Sequence, residues 1–261
     1  MMRYGVPFGL NEVFFTHFHA DHFLGVIGLV RTLGLQGRTG VLRLVGPRGA
    51  KRLLGQALAL GVERQVFEVE IVEVEPGQVL ARDGYDLTAF AVEHGGGAVG
   101  YALAEKERLG RFDPDRARSL GVPEGPLWGR LQRGQAVRLE DGREVTSETI
   151  VGPPRPGRKL VYSGDTRPCA ATIEAACGAD LLVHEATFTE EEKDRAKETA
   201  HATAREAAEV AKLAGARRLV LTHLSARYSR DPAPLLEEAR AVFAETVVAK
   251  DGLEIEVPFT D

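Results

Sequence analysis

Short apolar stretches alternate with longer amphipathic ones along most of the chain. The short stretches have the length and flanking turn residues typical of strands, and the longer ones have the apolar spacing of helices that pack through one face. We expect strands at residues 12–16, 41–45, 68–74, 86–92, 98–104, 159–163, 180–184, 218–222, 245–249 and 253–257. We expect helices at residues 22–34, 48–60, 170–177, 201–214 and 232–243. This alternation favours an α/β fold in which helices cover the sheets.

The alternation stops between about residues 105 and 157. This segment is rich in Gly, Pro and Arg, has little hydrophobic periodicity and ends in Gly-Pro-Pro-Arg-Pro-Gly at 152–157. Its composition alone is compatible with a flexible surface insertion. Between Glu105 and Leu139 it carries eight Lys and Arg against five Asp and Glu, which is a modest excess of positive charge.

Four residues that can bind metal lie close together near the start of the chain, in the run Thr16-His17-Phe18-His19-Ala20-Asp21-His22. Side chains alternate in an extended segment, so His17 and His19 point the same way and can hold one cation between them. Asp21 and His22 would face a second cation. Imidazole and carboxylate ligands suit zinc, manganese or iron. Because three of the seven histidines of the chain lie here, we prefer a dinuclear metal site to a chance cluster of surface histidines.

Three later residues can complete such a site. His94, Asp165 and His223 each follow a predicted strand, and open sheets place their sites at strand ends. His94 would complete the first metal, His223 would complete the second, and the carboxylate of Asp165 would bridge them. Any one of the three alone would more often be an ordinary polar residue at the end of a strand.

The pattern of these residues resembles that of the metallo-β-lactamase superfamily of dinuclear hydrolases. The matching features are the His-x-His-x-Asp-His run, the lone His94, the Ser-Gly-Asp-Thr turn at 163–166 and the Thr222-His223 pair. Four further stretches resemble ribonuclease Z, the family of tRNA 3′-processing endonucleases, at residues 120–129, 182–188, 201–203 and 221–228. The likeness extends from residue 2 to about residue 258.

The resemblance implies a fold. It predicts an αββα sandwich, one metallo-β-lactamase domain over residues 1–261, with the metals at one edge between the sheets. The segment 105–157 would be an inserted arm, the exosite that grips the tRNA elbow. Gly125 and Pro126 lie in this arm and are candidate substrate-binding residues.

The start of the chain departs from the family pattern. Ribonuclease Z normally carries two or more strands and an Asp-Cys-Gly-Glu-like turn before the segment that matches Met2-Arg3-Tyr4-Gly5. We expect a start codon placed too far downstream rather than a true shortened form. A chain that begins here would leave one sheet with an uncovered edge and an exposed apolar face.

The resemblance also implies the cofactor and the roles of the site residues. We expect two Zn²⁺ ions, with Mn²⁺ or another divalent metal as the alternative, which would activate water and neutralise phosphoryl charge during in-line displacement. Asp21 would bind metal and take a proton from the water. His201 would contact the scissile phosphate and protonate the leaving 3′ oxygen, with Glu185 orienting it. His201 is expected to open a helix, and from the sequence alone it is equally well a plain helix N-terminal histidine.

Three other residues near these motifs are less sharply defined. His184 precedes Glu185 in a predicted strand, so the two side chains point to opposite faces, and we expect His184 to have a structural role. Ser225 and Arg227 follow His223 and could hold a phosphate. For Arg227, a purely structural role is nearly as good an interpretation as phosphate binding.

Composition restricts the setting. A net charge of −5 and a pI near 5.9 argue against bulk attraction to nucleic acid, so RNA binding would have to be local. No apolar run is long enough to span a membrane, and the start lacks the apolar core of a signal peptide, so we expect a cytoplasmic protein. Cys169 and Cys177 lack metal or redox spacing and are expected to be small, mostly buried residues.

The expected function is a zinc-dependent endoribonuclease that removes the 3′ trailer from precursor tRNA, acting as a homodimer. One alternative is a small-molecule phosphodiesterase or arylsulfatase-like hydrolase, against which the arm-like insertion argues. A second is an inactive metal-binding scaffold, made plausible by the missing N-terminal strands. The seven intact ligand positions argue against it.

Overall fold

The computed structural model describes residues 2–5, 7–61 and 64–260. The described residues fall into two compact units. The first unit comprises the residues up to Leu103 together with Lys159–Val257, and the second comprises Ala104–Arg158 together with the residues from Pro258 onward.

The elements follow one another in an α/β order. The strands are β1 Glu12–Phe14, β2 Leu42–Pro47, β3 Val69–Val74, β4 Val79–Ala81, β5 Tyr85–Ala91, β6 Val99–Glu105, β7 Val137–Arg138, β8 Glu144–Val145, β9 Lys159–Tyr162, β10 Leu181–Glu185, β11 Leu219–Thr222 and β12 Thr246–Val248. The helices are α1 Ala20–Phe23, α2 Gly25–Leu35, α3 Ala50–Leu58, α4 Pro114–Ser119, α5 Pro126–Gln132, α6 Ala170–Ala175, α7 Lys193–Glu198, α8 Ala204–Ala214 and α9 Ala233–Arg240.

A parallel three-stranded sheet, in the order β1-β2-β3, is covered by helices on one face. Leu42 and Leu44 of β2 pack with apolar residues of α2 and α3, because alternate residues of a strand share a face. Val45 and Val74 point the other way and pack against Ala89 of the larger sheet. The small sheet therefore lies between a helical layer and a second sheet.

The larger sheet has seven strands in the order β12-β11-β10-β9-β6-β5-β4. Strands β9 to β12 pair in parallel, and β4 pairs antiparallel with β5. Helices α8 and α9 contribute buried residues to the core on its outer face, many of them alanines of α8, and α6 packs against this core through the partly buried Ile173 and Ala175. Alanine has the highest helix propensity and loses no side-chain entropy on burial. The layers form the αββα sandwich that the family resemblance implies.

Helix α8 begins later than the sequence suggests. Its N-cap is Thr203, whose Oγ1 accepts a hydrogen bond from the backbone N–H of Glu206, while the Glu206 carboxylate accepts one from the Thr203 N–H. This reciprocal pair is a capping box, which fixes the start of a helix. The prediction that the helix opens at His201 is therefore wrong, because His201 lies two residues before the cap.

The second unit has a packed core of its own, although its sequence lacks periodicity. Helices α4 and α5 and the β7-β8 hairpin surround it, and its buried residues are Ala117, Val122, Leu131, Val137, Leu139, Val145 and Ile150. The ring of Trp128 lies 5.1 Å from that of Phe112, tilted by 38°, and its indole N–H donates to the Val122 carbonyl. Helices α4 and α5 and a hairpin whose strands are two residues long are too short to produce a repeating pattern of hydrophobic residues. The flexible-insertion interpretation does not describe a segment with this core.

Other predicted boundaries differ from the structure. Residues 253–257 alternate in polarity but form no strand, and β12 has no described neighbour on that side. The helix expected at 22–34 is two helices, α1 and α2, separated at Leu24. Strand β4 and helix α7 were not predicted, because each is only three to six residues long.

The two cysteines are not mostly buried, so that expectation is wrong. Cys177 is exposed, because it lies just beyond α6 where the chain turns at Gly178. Cys169 is half-buried as the N-cap residue of α6, with its Sγ 3.2 Å from Oγ1 of Thr172. Within the ranges that the structure describes, no helix combines the length and apolarity that crossing a bilayer requires.

Candidate metal centre

The seven predicted ligands converge at one place in the first unit. Each comes from a segment that follows a strand, because the ends of neighbouring strands meet at one edge of the sheets. The segments follow β1, β5, β9 and β11, and the residues are His17, His19, Asp21, His22, His94, Asp165 and His223.

The first group of ligand atoms belongs to His17, His19, His94 and Asp165, and they lie within 4.8 Å of one another. His19 Nδ1 and His94 Nε2 are 3.2 Å apart, and His17 Nε2 is 3.5 Å from Asp165 Oδ2. Two nitrogens bound to one tetrahedral zinc are about 3.3 Å apart, given the usual bond length. The spacing between His19 and His94 matches that of two ligands on a shared cation.

The second group consists of Asp21, His22 and His223. The Nε2 atoms of the two histidines are 3.2 Å apart, and Asp21 Oδ2 is 3.6 Å from His22 Nε2. The Asp21 side chain is 77 % exposed, so solvent reaches it directly. Asp165 Oδ2 lies 3.3 Å from Nε2 of both His22 and His223. Asp165 therefore stands between the two groups, where a bridging carboxylate belongs.

His17 has a buried ring nitrogen that faces the other predicted ligands. Its Nε2 is buried and has no hydrogen-bond partner among the described residues. Burial, and then the neighbouring imidazoles, lower the pKa of His17 to about 3. The ring is therefore neutral near pH 7, with a buried nitrogen that no polar group satisfies, and a cation is the partner that such a nitrogen suits.

Outer hydrogen bonds fix the rings of three histidines. The Nδ1–H of His94 donates to the Ala200 carbonyl at 2.9 Å, which leaves its Nε2 lone pair for the site. Thr16 Oγ1 lies 3.0 Å from His17 Nδ1, and Thr187 Oγ1 lies 2.9 Å from His223 Nδ1. Such partners set the tautomer and orientation of metal-binding imidazoles.

The backbone is strained at this site. Ala200 and His223 have φ angles of 57° and 54°, and among the described residues they alone combine a side chain with a positive φ. Such conformations persist only where the surrounding contacts hold them, and they concentrate at functional sites. Gly164, just before Asp165, has φ of 64°, and a Cβ there would lie 2.8 Å from Thr16 side-chain atoms. Only glycine fits this turn without a shift.

Glu185 and His201 form a pair beside the cluster. Glu185 is completely buried, and its Oε1 accepts a hydrogen bond from Nδ1 of His201 at 2.8 Å. Four further donations reach the same carboxylate, from the backbone N–H groups of Thr166, Thr187 and Ala202 and from the Thr187 hydroxyl. Every oxygen lone pair of this buried carboxylate thus has a donor nearby.

The pair shifts the protonation of both members. Burial alone would raise the pKa of Glu185, but the hydrogen bonds from His201 and Thr187 outweigh it and lower the pKa below its ordinary value. Burial alone would lower the pKa of His201, but the Glu185 carboxylate raises it above its ordinary value. His201 is thereby favoured as an imidazolium, which is the form that can donate a proton.

His201 lies next to the predicted ligands. Its ring stacks on that of His223 at 5.1 Å between centroids and lies 5.0 Å from that of His94. Nδ1 is engaged with Glu185, so Nε2 is the nitrogen left to meet a substrate. His184 occupies the other face of β10, is completely buried and donates its Nδ1–H to the Glu185 carbonyl.

The predicted substrate-binding residues are placed differently. Ser225 is half-buried beyond His223, and its N–H donates to the Thr187 carbonyl. Arg227 is exposed and pairs with Glu192, whose other oxygen accepts from the Tyr228 hydroxyl at 2.6 Å. Arg227 therefore ties its loop to the turn before α7. Gly125 and Pro126 are exposed at the start of α5 in the second unit.

Sequence reasoning missed three residues of this site. Thr16 and Thr187 hold His17 and His223, and Arg167 binds the turn that carries His201. Thr16 and Arg167 adjoin the motifs that were recognised, and adjacency was the only signal available. The partner of Thr16 is the next residue, whereas Thr187 and Arg167 contact residues 36 and 34 positions away, so those two contacts could not be read from spacing.

Comparisons with known proteins agree with this geometry. The family model described as "Beta-lactamase superfamily domain" matches residues 6–121 and 130–224. The chain is 57 % identical to a protein named ribonuclease Z from Gemmatimonas aurantiaca, over the whole of this chain and 84 % of that protein. It is 59 % identical to a ribonuclease Z from Myxococcus xanthus, over the whole of this chain and 85 % of that one.

Solved structures are similar as well. Human tRNase Z, short form, aligns with a TM-score of 0.65 at 25 % identity, over 99 % of this chain and 83 % of that one. The metallo-β-lactamase fold protein YhfI from Bacillus subtilis aligns with a TM-score of 0.64 at 20 % identity, over 97 % and 80 % of the two chains. The second likeness concerns the fold alone.

Proposed function

The chain belongs to the ribonuclease Z family of the metallo-β-lactamase superfamily, and on this basis we propose that it is the endoribonuclease that removes the 3′ trailer from precursor tRNA. The products would be a tRNA with a 3′-hydroxyl and a trailer with a 5′-phosphate. The observation that carries the proposal is the position of the Glu185–His201 pair beside a seven-residue ligand cluster, in a chain so similar to ribonuclease Z over its whole length.

We propose that the cluster holds two Zn²⁺ ions, with Mn²⁺ as the alternative. His17, His19 and His94 would bind one ion, Asp21, His22 and His223 would bind the other, and Asp165 would bridge them. When bound, the ions would activate water and neutralise charge on the scissile phosphate. The unsatisfied Nε2 of His17 and the 3.2 Å spacing of paired imidazole nitrogens support this assignment.

Asp21 is the proposed proton acceptor on the attacking side. Its carboxylate is mostly exposed at the cluster, so a proton that it takes from water can pass on to solvent. A carboxylate that is also a metal ligand stays close to the nucleophile throughout the reaction. We therefore assign Asp21 both roles.

His201 is the proposed proton donor on the leaving side. The 3′ oxygen would leave as a strongly basic alkoxide, so it needs a proton as its bond to phosphorus breaks. The raised pKa of His201 keeps a proton available, and Glu185 holds the ring through Nδ1 so that Nε2 carries the proton that is transferred. A buried carboxylate with many donors is a fixed support for that ring.

We propose that the second unit binds the tRNA body. Residues 104–158 carry eleven Lys and Arg against nine Asp and Glu, whereas the whole chain has a net charge of −5. The positive charge of the chain is thus relatively concentrated in this unit, as local phosphate binding requires. Gly125 and Pro126 stand exposed at the start of α5 and are the proposed contacts. Ser225 and Arg227 remain candidates near the cluster, with Arg227 first having to leave Glu192.

Two further features follow from the family rather than from a measured contact. We propose a homodimer, which size-exclusion chromatography with light scattering would test. We also propose a cytoplasmic location, since the proposed substrate is a tRNA precursor.

The experiment that tests the function uses precursor tRNA with a 3′ trailer. Protein loaded with zinc should remove the trailer, and the same protein stripped by a chelator should not until zinc is returned. Bis(p-nitrophenyl) phosphate serves as a small substrate in parallel. Hydrolysis of the small ester without any cleavage of precursor tRNA would refute the assignment.

A further inference from the structure

Arg167 connects the metal-ligand side of the site to the turn that carries His201. Its Nη1 donates to the His201 carbonyl at 2.6 Å and to Glu206 Oε2 at 2.7 Å, and its Nη2 donates to Glu206 Oε1 at 2.5 Å. The side chains of Arg167 and Glu206 are only 18 % and 7 % exposed. Two parallel donations from a guanidinium to a carboxylate are strong and set the geometry as well as the energy.

Glu206 is itself part of the start of α8. Its carboxylate accepts from the Thr203 N–H and completes the capping box. Arg167 therefore binds Glu206, the residue that completes the capping box. The same Nη1 also donates to the carbonyl of His201, two residues before the N-cap. Arg167 thus ties the backbone of His201 to the start of α8, and a helix end is a rigid element.

The backbone of Arg167 is fixed on the opposite side. Its N–H donates to the Glu93 carbonyl at 2.9 Å, and the Glu93 N–H donates to Thr166 Oγ1 at 3.0 Å. Glu93 immediately precedes His94, and Thr166 immediately follows Asp165. The side chain of Arg167 therefore extends from the turn that follows Asp165, and this turn is hydrogen-bonded to the segment that carries His94.

The turn that Arg167 holds is strained. It begins at Ala200, with φ of 57°, whose carbonyl accepts from His94. A strained turn keeps its shape only while surrounding contacts enforce it. The contacts on the successive carbonyls of Ala200 and His201 come from His94 and Arg167.

We propose that Arg167 is a positioning residue for His201. It fixes the turn so that the imidazole stays on Glu185 and its free nitrogen stays at a set distance from the cluster. Arg167 contacts neither the predicted ligands nor, by this account, the substrate. The inference rests on the proposed function for the role of His201 as proton donor.

Two substrates with different leaving groups distinguish a role of Arg167 in positioning His201 from a general role in stability. The 3′ oxygen of tRNA needs a proton to leave, whereas p-nitrophenolate leaves without one. If Arg167 acts through His201, Arg167→Met should lower kcat for precursor tRNA by about ten- to a hundred-fold, the usual effect of losing an orienting partner. KM, zinc content and the hydrolysis of bis(p-nitrophenyl) phosphate should stay near those of the unchanged protein.

Matched variants sharpen the test. Arg82 forms a similar fork on Glu12, at 3.0 and 2.6 Å, away from the cluster, so Arg82→Met should leave both reactions unchanged. Arg167→Lys keeps the charge but cannot reach all three oxygens, and should show a partial loss. Millimolar guanidinium should restore part of the activity of Arg167→Ala. Thermal melting of each variant shows whether it is folded.

A substrate-free measurement separates this inference from the proposed function. The Nδ1–H of His201 should give a far-downfield proton NMR signal in the zinc-loaded protein, assigned by its absence in His201→Ala. It should persist in Arg82→Met and weaken or vanish in folded Arg167→Met, whether or not precursor tRNA is cleaved. An unchanged signal in Arg167→Met, or an equal loss of both activities, would overturn the positioning role. Failure of the unchanged protein to cut precursor tRNA would overturn only the proposed function.

Discussion

Nδ1 of His201 donates to Oε1 of Glu185 at 2.8 Å, and Glu185 is completely buried whereas the His201 side chain is 15 % exposed. The Glu185 carboxylate is the buried member of the pair, and the His201 imidazole is the partly exposed member that lies beside the ligand cluster. In the proposed function, one part of this site would bind cations and the other would supply a proton.

His201→Ala should impair cleavage without removing metal. None of the predicted ligands depends on the His201 side chain for its own hydrogen bond in the described structure. General acids contribute about 10²- to 10⁴-fold, so cleavage of precursor tRNA should fall within that range. Zinc content, measured by elemental analysis, should not change. Equal cleavage by the variant would remove His201 from the mechanism.

Glu185→Gln should move the pH dependence. The carboxylate raises the pKa of His201, so in the unchanged protein the proton donor persists above its ordinary pKa and activity falls as pH rises through the raised value. Without the negative charge the pKa drops, and the alkaline fall in kcat for precursor tRNA should begin at lower pH. The measurement is a kcat profile of both proteins between about pH 5.5 and 9. Superimposable alkaline limbs would contradict the proposed pairing.

Asp165→Asn should impair both substrates, unlike His201→Ala. Asp165 Oδ2 lies 3.3 to 3.9 Å from the Nε2 atoms of His17, His22, His94 and His223, so it serves both groups of ligands. A neutral amide is a much poorer bridge between cations. Zinc content should fall below two per chain, and hydrolysis of bis(p-nitrophenyl) phosphate should be lost together with tRNA cleavage. Full zinc content with normal hydrolysis of the small ester would refute the bridging role.

Gly164→Ala should be more harmful than Gly178→Ala. Both glycines have φ of 64°, but a Cβ at Gly164 would lie 2.8 Å from Thr16 atoms, whereas nothing lies within 4 Å at Gly178. Gly178→Ala should cost about 1 kcal/mol in unfolding free energy from the backbone alone. Gly164→Ala should cost more and weaken zinc binding, because Thr16 supports His17. Denaturant unfolding and zinc titration measure the two effects, and equal results for the two variants would rule out the steric argument.

Arg130→Ala with Arg133→Ala should weaken tRNA binding selectively. Both residues lie at the end of α5, in the unit proposed to bind the tRNA body. If they contact phosphates, KM for precursor tRNA should rise. The slope of the logarithm of the binding constant against the logarithm of salt concentration should become shallower by about 2. Lys51→Ala with Arg52→Ala removes the same charge from α3 and serves as the control. An equal effect of the two pairs would indicate only bulk electrostatics.

The convergence of the seven ligands was predictable because each follows a short apolar strand. Strand ends of neighbouring strands meet, so His94, Asp165 and His223 could be grouped with the opening run despite their distance along the chain. Their role as ligands is still a prediction, which metal analysis of the variants will test.

The supporting contacts were not predictable from the sequence. Arg167 meets Glu206 across 39 positions, and Thr187 meets His223 across 36, so no local pattern reveals either pair. The start of α8 was misplaced because the capping box depends on Glu206 rather than on the His201 motif. The core of the second unit was missed because its helices are too short to show a period.

The most direct test of the central claim is the position and chemistry of the cut in precursor tRNA. Zinc-loaded protein should produce a single break after the discriminator base, with a 3′-hydroxyl on the tRNA and a 5′-phosphate on the trailer, and His201→Ala should slow this break while keeping its zinc. A trailer removed stepwise from its 3′ end, a 3′-phosphate on the tRNA, or an intact precursor beside active hydrolysis of bis(p-nitrophenyl) phosphate would contradict the account.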